Sequence, residues 1–203
     1  KMALVDATGN VLASGVIQVT RSDGERRSAA QALLKLIKTH GVTLISIGNG
    51  TASYETEQFV AALIRDNDLK DVHYLITNEA GASIYSASEA ARREFPDRDV
   101  TVRGAVSIGR RLMDPMAELV KIDPKSIGVG QYQHDVDQKE LKQALDDVVI
   151  HCVNAVGVNV NTASPEILSY VSGLNRQVVA QIVKYREANG PFPSREAMRK
   201  VPR

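Results

Sequence analysis

Residues 160–203 read VNTASPEILSYVSGLNRQVVAQIVKYREANGPFPSREAMRKVPR, and the rest of the chain is understood outward from them. Asn161-Thr162-Ala163-Ser164-Pro165 has the form of a helix start. It offers a Thr or Ser cap, Pro at the first helical position, and then Glu166 in the turn where the helix dipole is positive. Ile167, Leu168 and Val171 supply the apolar stripe of a short helix. Gly173 breaks the chain inside Ser172-Gly173-Leu174-Asn175, and Val178, Val179, Ile182, Val183 and Arg186 continue a second helix. After Asn189-Gly190-Pro191-Phe192, Ser194 is placed to cap a third helix over 195–200. The order is helix, glycine hairpin, helix, tight turn, helix.

That order resembles the helix-hairpin-helix family, whose members grip nucleic-acid backbone without reading bases. A glycine turn exposes backbone N–H groups at the start of the next helix, where orphan donors and the macrodipole favour a phosphate. Arg176 follows at once, and Lys184 and Arg186 lie further along. Taken alone, Gly173 reads first as a left-handed cap in a small helical bundle. The helix start, the Tyr185-Arg186 pair and the Asn-Gly-Pro-Phe turn agree with the hairpin. The candidate nucleic-acid contacts are therefore Ser172, Gly173, Leu174, Asn175, Arg176, Lys184 and Arg186.

At 203 residues there is room for one domain and a smaller second. A net charge of +1 excludes nothing about partners, but its distribution is uneven. From Asn154 onward seven basic residues face three acidic ones, a net of +4. The remaining residues hold 18 basic and 21 acidic, a net of −3. The basic surplus sits on the hairpin module, as a backbone-binding surface requires, although a solvated face would give the same count. A single cysteine, Cys152, excludes an intrachain disulfide framework and suits a reducing compartment. It falls on the apolar stripe of a predicted helix and is expected in the core. No stretch reads as a membrane span or a signal peptide, so a cytoplasmic protein is expected. The chain also reads as a fragment, opening inside a strand and ending where a second hairpin would come next.

In order, residues 1–6 and 11–19 are strand candidates around the turn Ala7-Thr8-Gly9-Asn10. Residues 25–40 form a helix with Ala29, Ala32, Leu33, Leu36 and Ile37 on one face. Strand 44–47 ends at Gly48-Asn49-Gly50-Thr51, helix 53–66 comes next, and strand 72–76 ends in Thr77-Asn78-Glu79-Ala80-Gly81. An opening hairpin followed by alternating strands and helices predicts an α/β sheet with an antiparallel edge. Residues 86–95 and 103–112 are helical, Asp114-Pro115 and Asp123-Pro124 restart short turns, and the aperiodic stretch 128–139 is a linker. A long amphipathic helix over 140–156 then leads to the hairpin, with Leu141, Leu145, Val148, Val149, Cys152 and Val153 facing it.

The strings IGNGTAS, NEAGASIYSASE, RGAVSIGRRLMDPMAELVKIDPKSIGVGQYQHDV and CVNAVGVNVNTAS together resemble the Tex family of bacterial transcription accessory proteins. The resemblance implies a YqgF-like domain with the ribonuclease H (RuvC-type) fold over 1–127, its first strand missing. It also implies a small all-α helix-hairpin-helix domain over 140–203. The family's N-terminal helical domains and its C-terminal OB-fold domain are expected elsewhere. An RNA- or DNA-binding role linked to transcription is implied with them.

A ribonuclease H-type site needs three or four carboxylates around two divalent metals that clamp the attacking and leaving oxygens. The family pattern puts the first Asp on a strand preceding Lys1. Asp6 is no substitute by position. Glu79 stands where the second carboxylate belongs. The helix that should offer the last reads Arg103-Gly104-Ala105-Val106-Ser107-Ile108, with no inward acid, and Asp114 comes over two turns later. Glu79 thus remains the one weak catalytic candidate. Its plainer role is a strand-end carboxylate satisfied by backbone N–H groups or Arg103. The Gly48-Asn49-Gly50-Thr51 turn lacks the Lys-Ser/Thr of a P-loop, and Glu55 and Glu57 just beyond it would repel a phosphate, so it reads as structural. His73 and His134 have no partners at ligand spacing. No metal or cofactor and no enzymatic activity are expected. A protein-interaction scaffold of the transcription machinery is the first alternative, and a metal-dependent nuclease the second.

Overall fold

Asp6 sets the first turn of the protein. Its carboxylate accepts hydrogen bonds from the Asn10 backbone N–H (2.9 Å) and side-chain amide (3.1 Å). This closes strand β1 (Met2–Val5) onto β2 (Val11–Gly15) as an antiparallel pair running from Met2 opposite Gly15 to Val5 opposite Val11. The computed structural model describes residues 1–7 and 9–202. Thr8, within the expected turn, and Arg203, in the basic count, lie outside them. The described chain forms two compact units, Lys1–Pro115 and Met116–Arg203, parting ahead of the boundary expected at 127.

In the first unit, helix α1 (Asp23–His40) begins at Ser22, whose Oγ accepts from the Glu25 N–H while donating to its carboxylate. This reciprocal capping box places the start two residues before that expected from the apolar stripe. Strand β3 (Leu44–Gly48) leads to α2 (Ser53–Asp66) and to β4 (His73–Thr77), which pairs in parallel with β3. The expected mixed sheet is thus present as two separate pairs among the described residues. An apolar slot of about 570 Å³ is bordered by β1 and β3 and floored by Leu33, Leu36, Ile108 and Leu112. Ala29, Ile47, Phe59 and Val60 form one core cluster, and Ile37, Leu63 and Val72 a second.

The helix expected over 86–95 is two short ones, α3 (Ala82–Ala87) and α4 (Glu89–Glu94). Ser88 separates them because its backbone is extended and its hydroxyl caps the second at the Ala91 N–H. Helix α5 (Val100–Met113) is capped by Asp99, which accepts from Thr101 and Val102 N–H groups. It packs on β1 and β3 and so ties the two strand pairs together.

In the second unit, α6 (Pro115–Leu119) and α7 (Pro124–Ile127) precede a stretch of turns over 128–137. Then come α8 (Gln138–Val156), α9 (Pro165–Leu168) and α10 (Arg176–Asn189). The third helix of the module is a 3-10 turn, Glu196–Lys200, with the expected Ser194 Oγ accepting from the Ala197 N–H at 3.4 Å. Val153, Ala163, Ile167, Leu168, Val179, Ile182 and Phe192 form the core, with Val149, Leu174 and Val178 packed against it. The Tyr185 and Phe192 rings stack with centroids 5.4 Å apart.

Cys152 is exposed, contrary to the expected core position. The inward stripe of α8 runs through the half-buried Leu145 and Val149 to the buried Val153, so the residue before Val153 is turned about 100° away. Val148 is likewise 58 % exposed and Val156 75 %. Among the described residues no helix is long and apolar enough to cross a membrane.

Asp137 caps α8 by accepting from Glu140 and Lys139 N–H groups, in that order the causes that hold its carboxyl below the ordinary carboxylate range. A depressed folded value stabilises above the unfolded one and loses that contribution as pH falls through the folded one. Hydrogen-exchange protection of the Lys139 and Glu140 amides will therefore hold above about pH 4 and decline below it. Asp137→Asn, a neutral cap, will flatten that profile. Protection of the native chain unchanged to pH 2 would contradict the assignment.

Candidate nucleic-acid interface

The hairpin is built by short-range bonds around one left-handed glycine. Val171 donates to the Leu168 carbonyl and Leu174 to that of Val171, each at 3.1 Å. Gly173 has φ +86°, which an L side chain rarely adopts, and this turns the chain from α9 into α10. Asn175 then caps α10, its Oδ1 accepting from the Val178 N–H at 2.9 Å. Leu174 points its bulk at the core and is an anchor.

The first turn of α10 leaves donors unspent. Among the described residues the N–H groups of Gly173, Asn175, Arg176 and Gln177 meet no acceptor. All four residues are exposed. They lie where the helix dipole is positive, and their side chains add no negative charge. Arg176 extends from the same turn. Lys184, also exposed, stands eight residues on, about 12 Å along the helix and about 80° around it. The arrangement suits an extended anion with repeated charges.

Besides Leu174, two of the expected contacts are placed otherwise. The Ser172 N–H donates to Asn154 Oδ1 at 2.9 Å, so only its hydroxyl remains for a ligand. Arg186 is half-buried, with Nη1 donating to the carbonyls of Val160 (2.7 Å) and Ala163 (2.9 Å). It braces the loop entering α9. Sequence reasoning missed Gln177 and Asn154. The Asn175 cap four residues before Val179 was a local signal for the former, whereas nothing local marks the latter.

At the other candidate, Glu79 is half-buried at the end of β4. Its backbone N–H donates to Asn49 Oδ1 at 3.0 Å. Its carboxylate lies over Gly48 and Gly50, where a Cβ on either would collide with it. The Gly-Asn-Gly turn thus leaves the room that the Glu79 carboxylate occupies. Arg103 does not serve Glu79; it donates to the carbonyls of Phe95 and Ser86. The buried face of α5 carries Arg103, Ser107 and Arg111, and Arg111 Nη1 donates to the Asn78 carbonyl at 2.7 Å. Guanidinium groups therefore occupy the helix face that would have to supply the remaining carboxylate. Among the described residues no three His, Cys, Asp or Glu side chains converge for a metal. This donor set does not fit a divalent pair.

An α/β unit of the ribonuclease H-like class followed by a helix-hairpin-helix unit is the class that fold and site define. Residues 1–113 match the Tex protein YqgF-like domain, and residues 153–203 the helix-hairpin-helix motif. The whole chain is 56 % identical to the "Transcriptional accessory protein Tex" of Neisseria gonorrhoeae and 55 % identical to "Protein tex" of Bordetella pertussis, covering 26 % of each. It is 46 % identical over 99 % of its length to the human "S1 RNA-binding domain-containing protein 1", covering 20 % of it. The chain belongs to the Tex family and spans about a quarter of the length of its bacterial relatives.

Arg186→Gln should lower the unfolding free energy by about 1–3 kcal/mol, the usual loss for charge-assisted bonds to buried carbonyls. Urea denaturation checks this, and an unchanged midpoint would remove the bracing role.

Proposed function

We propose that the chain binds RNA or DNA backbone independently of sequence and does not itself cut it, as part of a transcription accessory factor in the cytoplasm. The observation that carries this is the exposed set of unspent N–H donors at Gly173 and residues 175–177, flanked by Arg176 and Lys184. Backbone amides at a helix start recognise phosphate oxygens, which carry no base identity. The names of the relatives, a transcriptional accessory protein and an RNA-binding protein, support the same class of partner.

Absence of cleavage is supported by the donor set around Glu79. One carboxylate beside a carbonyl held by Arg111 cannot neutralise two divalent cations. A second reading, a protein-interaction scaffold, has one observation in its favour: Val148, Cys152 and Val156 form a second, uncovered apolar stripe along α8.

Affinity for mixed-sequence single-stranded RNA, single-stranded DNA and duplex DNA will be weak and will fall steeply with salt, because each cation that meets a phosphate releases a counterion. Gly173→Asp combined with Arg176→Glu will abolish measurable binding. An affinity independent of salt, or untouched by the double change, would defeat the proposal. With Mg²⁺ present, branched and single-stranded substrates will remain intact. Cleavage that disappears in Glu79→Gln would establish a nuclease instead.

A further inference from the structure

We infer that Asn154, on α8, is the positioning residue of the hairpin, an inference that rests on the backbone-binding reading above. Its side-chain amide is fully engaged. Nδ2 donates to the carbonyls of Ile150 (2.7 Å) and Tyr170 (2.8 Å), and Oδ1 accepts from the Ser172 N–H (2.9 Å). The last two bonds grip the peptide groups on either side of Val171, the residue from which the chain enters the Gly173 turn.

The grip matters because of what else holds that turn. α9 is four residues long and ends at Leu168, and its own bonds reach no further than Leu174. The turn therefore has no rigid element of its own on the entry side. α8 is 19 residues long and anchored in the core through Val153, the neighbour of Asn154. Asn154 transfers that rigidity to the backbone just before the donors at Gly173 and residues 175–177. Donors held in place before binding lose less freedom when a phosphate arrives. Ser172 completes the logic, since its N–H is spent on the clamp while the following donors stay open. Asn154 itself brings no charge to the interface.

This role separates from simple stabilisation by experiment. Asn161 makes the same two-bond amide clamp, on Phe192, accepting from its N–H (2.8 Å) and donating to its carbonyl (3.0 Å). Phe192 lies beyond the far end of α10, about 21 Å of helix from the hairpin. Native chain, Asn154→Ala, Asn161→Ala and the Gly173→Asp, Arg176→Glu pair are titrated with a fluorescein-labelled mixed-sequence single-stranded RNA at several salt concentrations, well below each unfolding temperature. Asn154→Ala is expected to weaken binding about five- to tenfold, as the loss of two hydrogen bonds allows. Its salt slope should match that of the native chain, because amide donors release no counterions and no cation has been lost. Amide exchange at Ser172 should quicken, because its N–H loses its acceptor. Asn161→Ala should bind within twofold of the native chain. Equal weakening by the two alanine changes, or a changed slope in Asn154→Ala, would overturn the positioning role while leaving the hairpin reading intact. An undiminished affinity of the Gly173 and Arg176 pair would overturn both.

Discussion

The second unit depends on burying helical pieces that could not persist alone. A four-residue helix such as α9 lies far below the length at which an isolated helix holds in water. It exists because Ile167 and Leu168, each 2 % exposed, pack with Val153, Val179, Ile182 and Phe192. At about 1.5–3 kcal/mol for each fully buried aliphatic side chain, that packing outweighs the missing intrahelical bonds. The consequence for function is direct. Because side chains on the inner faces hold the module together, the outer turn need not satisfy its own backbone. Among the described residues four N–H groups are left facing solvent there, two of them the orphan donors that any helix start presents. Polar clamps then fix what the apolar contacts cannot: Asn161 holds the turn at Phe192, and Arg186 braces the carbonyls of Val160 and Ala163.

The first unit shows how a nuclease-like scaffold is settled by its polar interior. Ser46 and Thr77 bond across the parallel pair at 2.7 Å, with Ser46 also within 3.3 Å of the Ile108 carbonyl. Arg111 closes the end of β4 on the Asn78 carbonyl. Glu79, the one acid in a suggestive place, rests on a glycine turn that accommodates its carboxylate. Burying guanidinium groups is costly unless their donors are used; Arg103 gives donors to the Phe95 and Ser86 carbonyls, and Arg111 Nη1 to that of Asn78.

What could be read from sequence was set by the range of the interactions concerned. Periodicity located α2 at both ends, and the capped start before Pro165, the Gly173 hairpin and the long α8 were legible because their signals lie within a turn or two. The glycine needed for positive φ is likewise a local requirement. The errors divide in two. Competing local signals misplaced the start of α1, where the Ser22–Glu25 capping box preceded the apolar stripe, and hid the Ser88 cap that splits the helix over 86–95. Cys152 was misassigned because α8 has two apolar stripes and only the one through Val149 and Val153 is buried in its unit. The roles of Arg186 and Asn154 were out of reach for another reason. Their partners are carbonyls and N–H groups 16 to 26 residues away, which every residue type offers equally.

This last distinction bears on how such a site is recognised. A phosphate contact made by backbone amides leaves almost no trace in residue identity, since any residue but proline carries the donor. What the sequence must specify is the conformation that leaves the donor unpaired. At the hairpin that conformation is specified by Gly173, which permits the turn, and by Asn175, whose cap takes the Val178 N–H and leaves those of Arg176 and Gln177 open. Arg176 and Lys184 then add charge without fixing geometry, as Lys and Arg on an exposed face do. The informative residues of the interface are therefore the ones that shape it, and several of them need never touch the ligand.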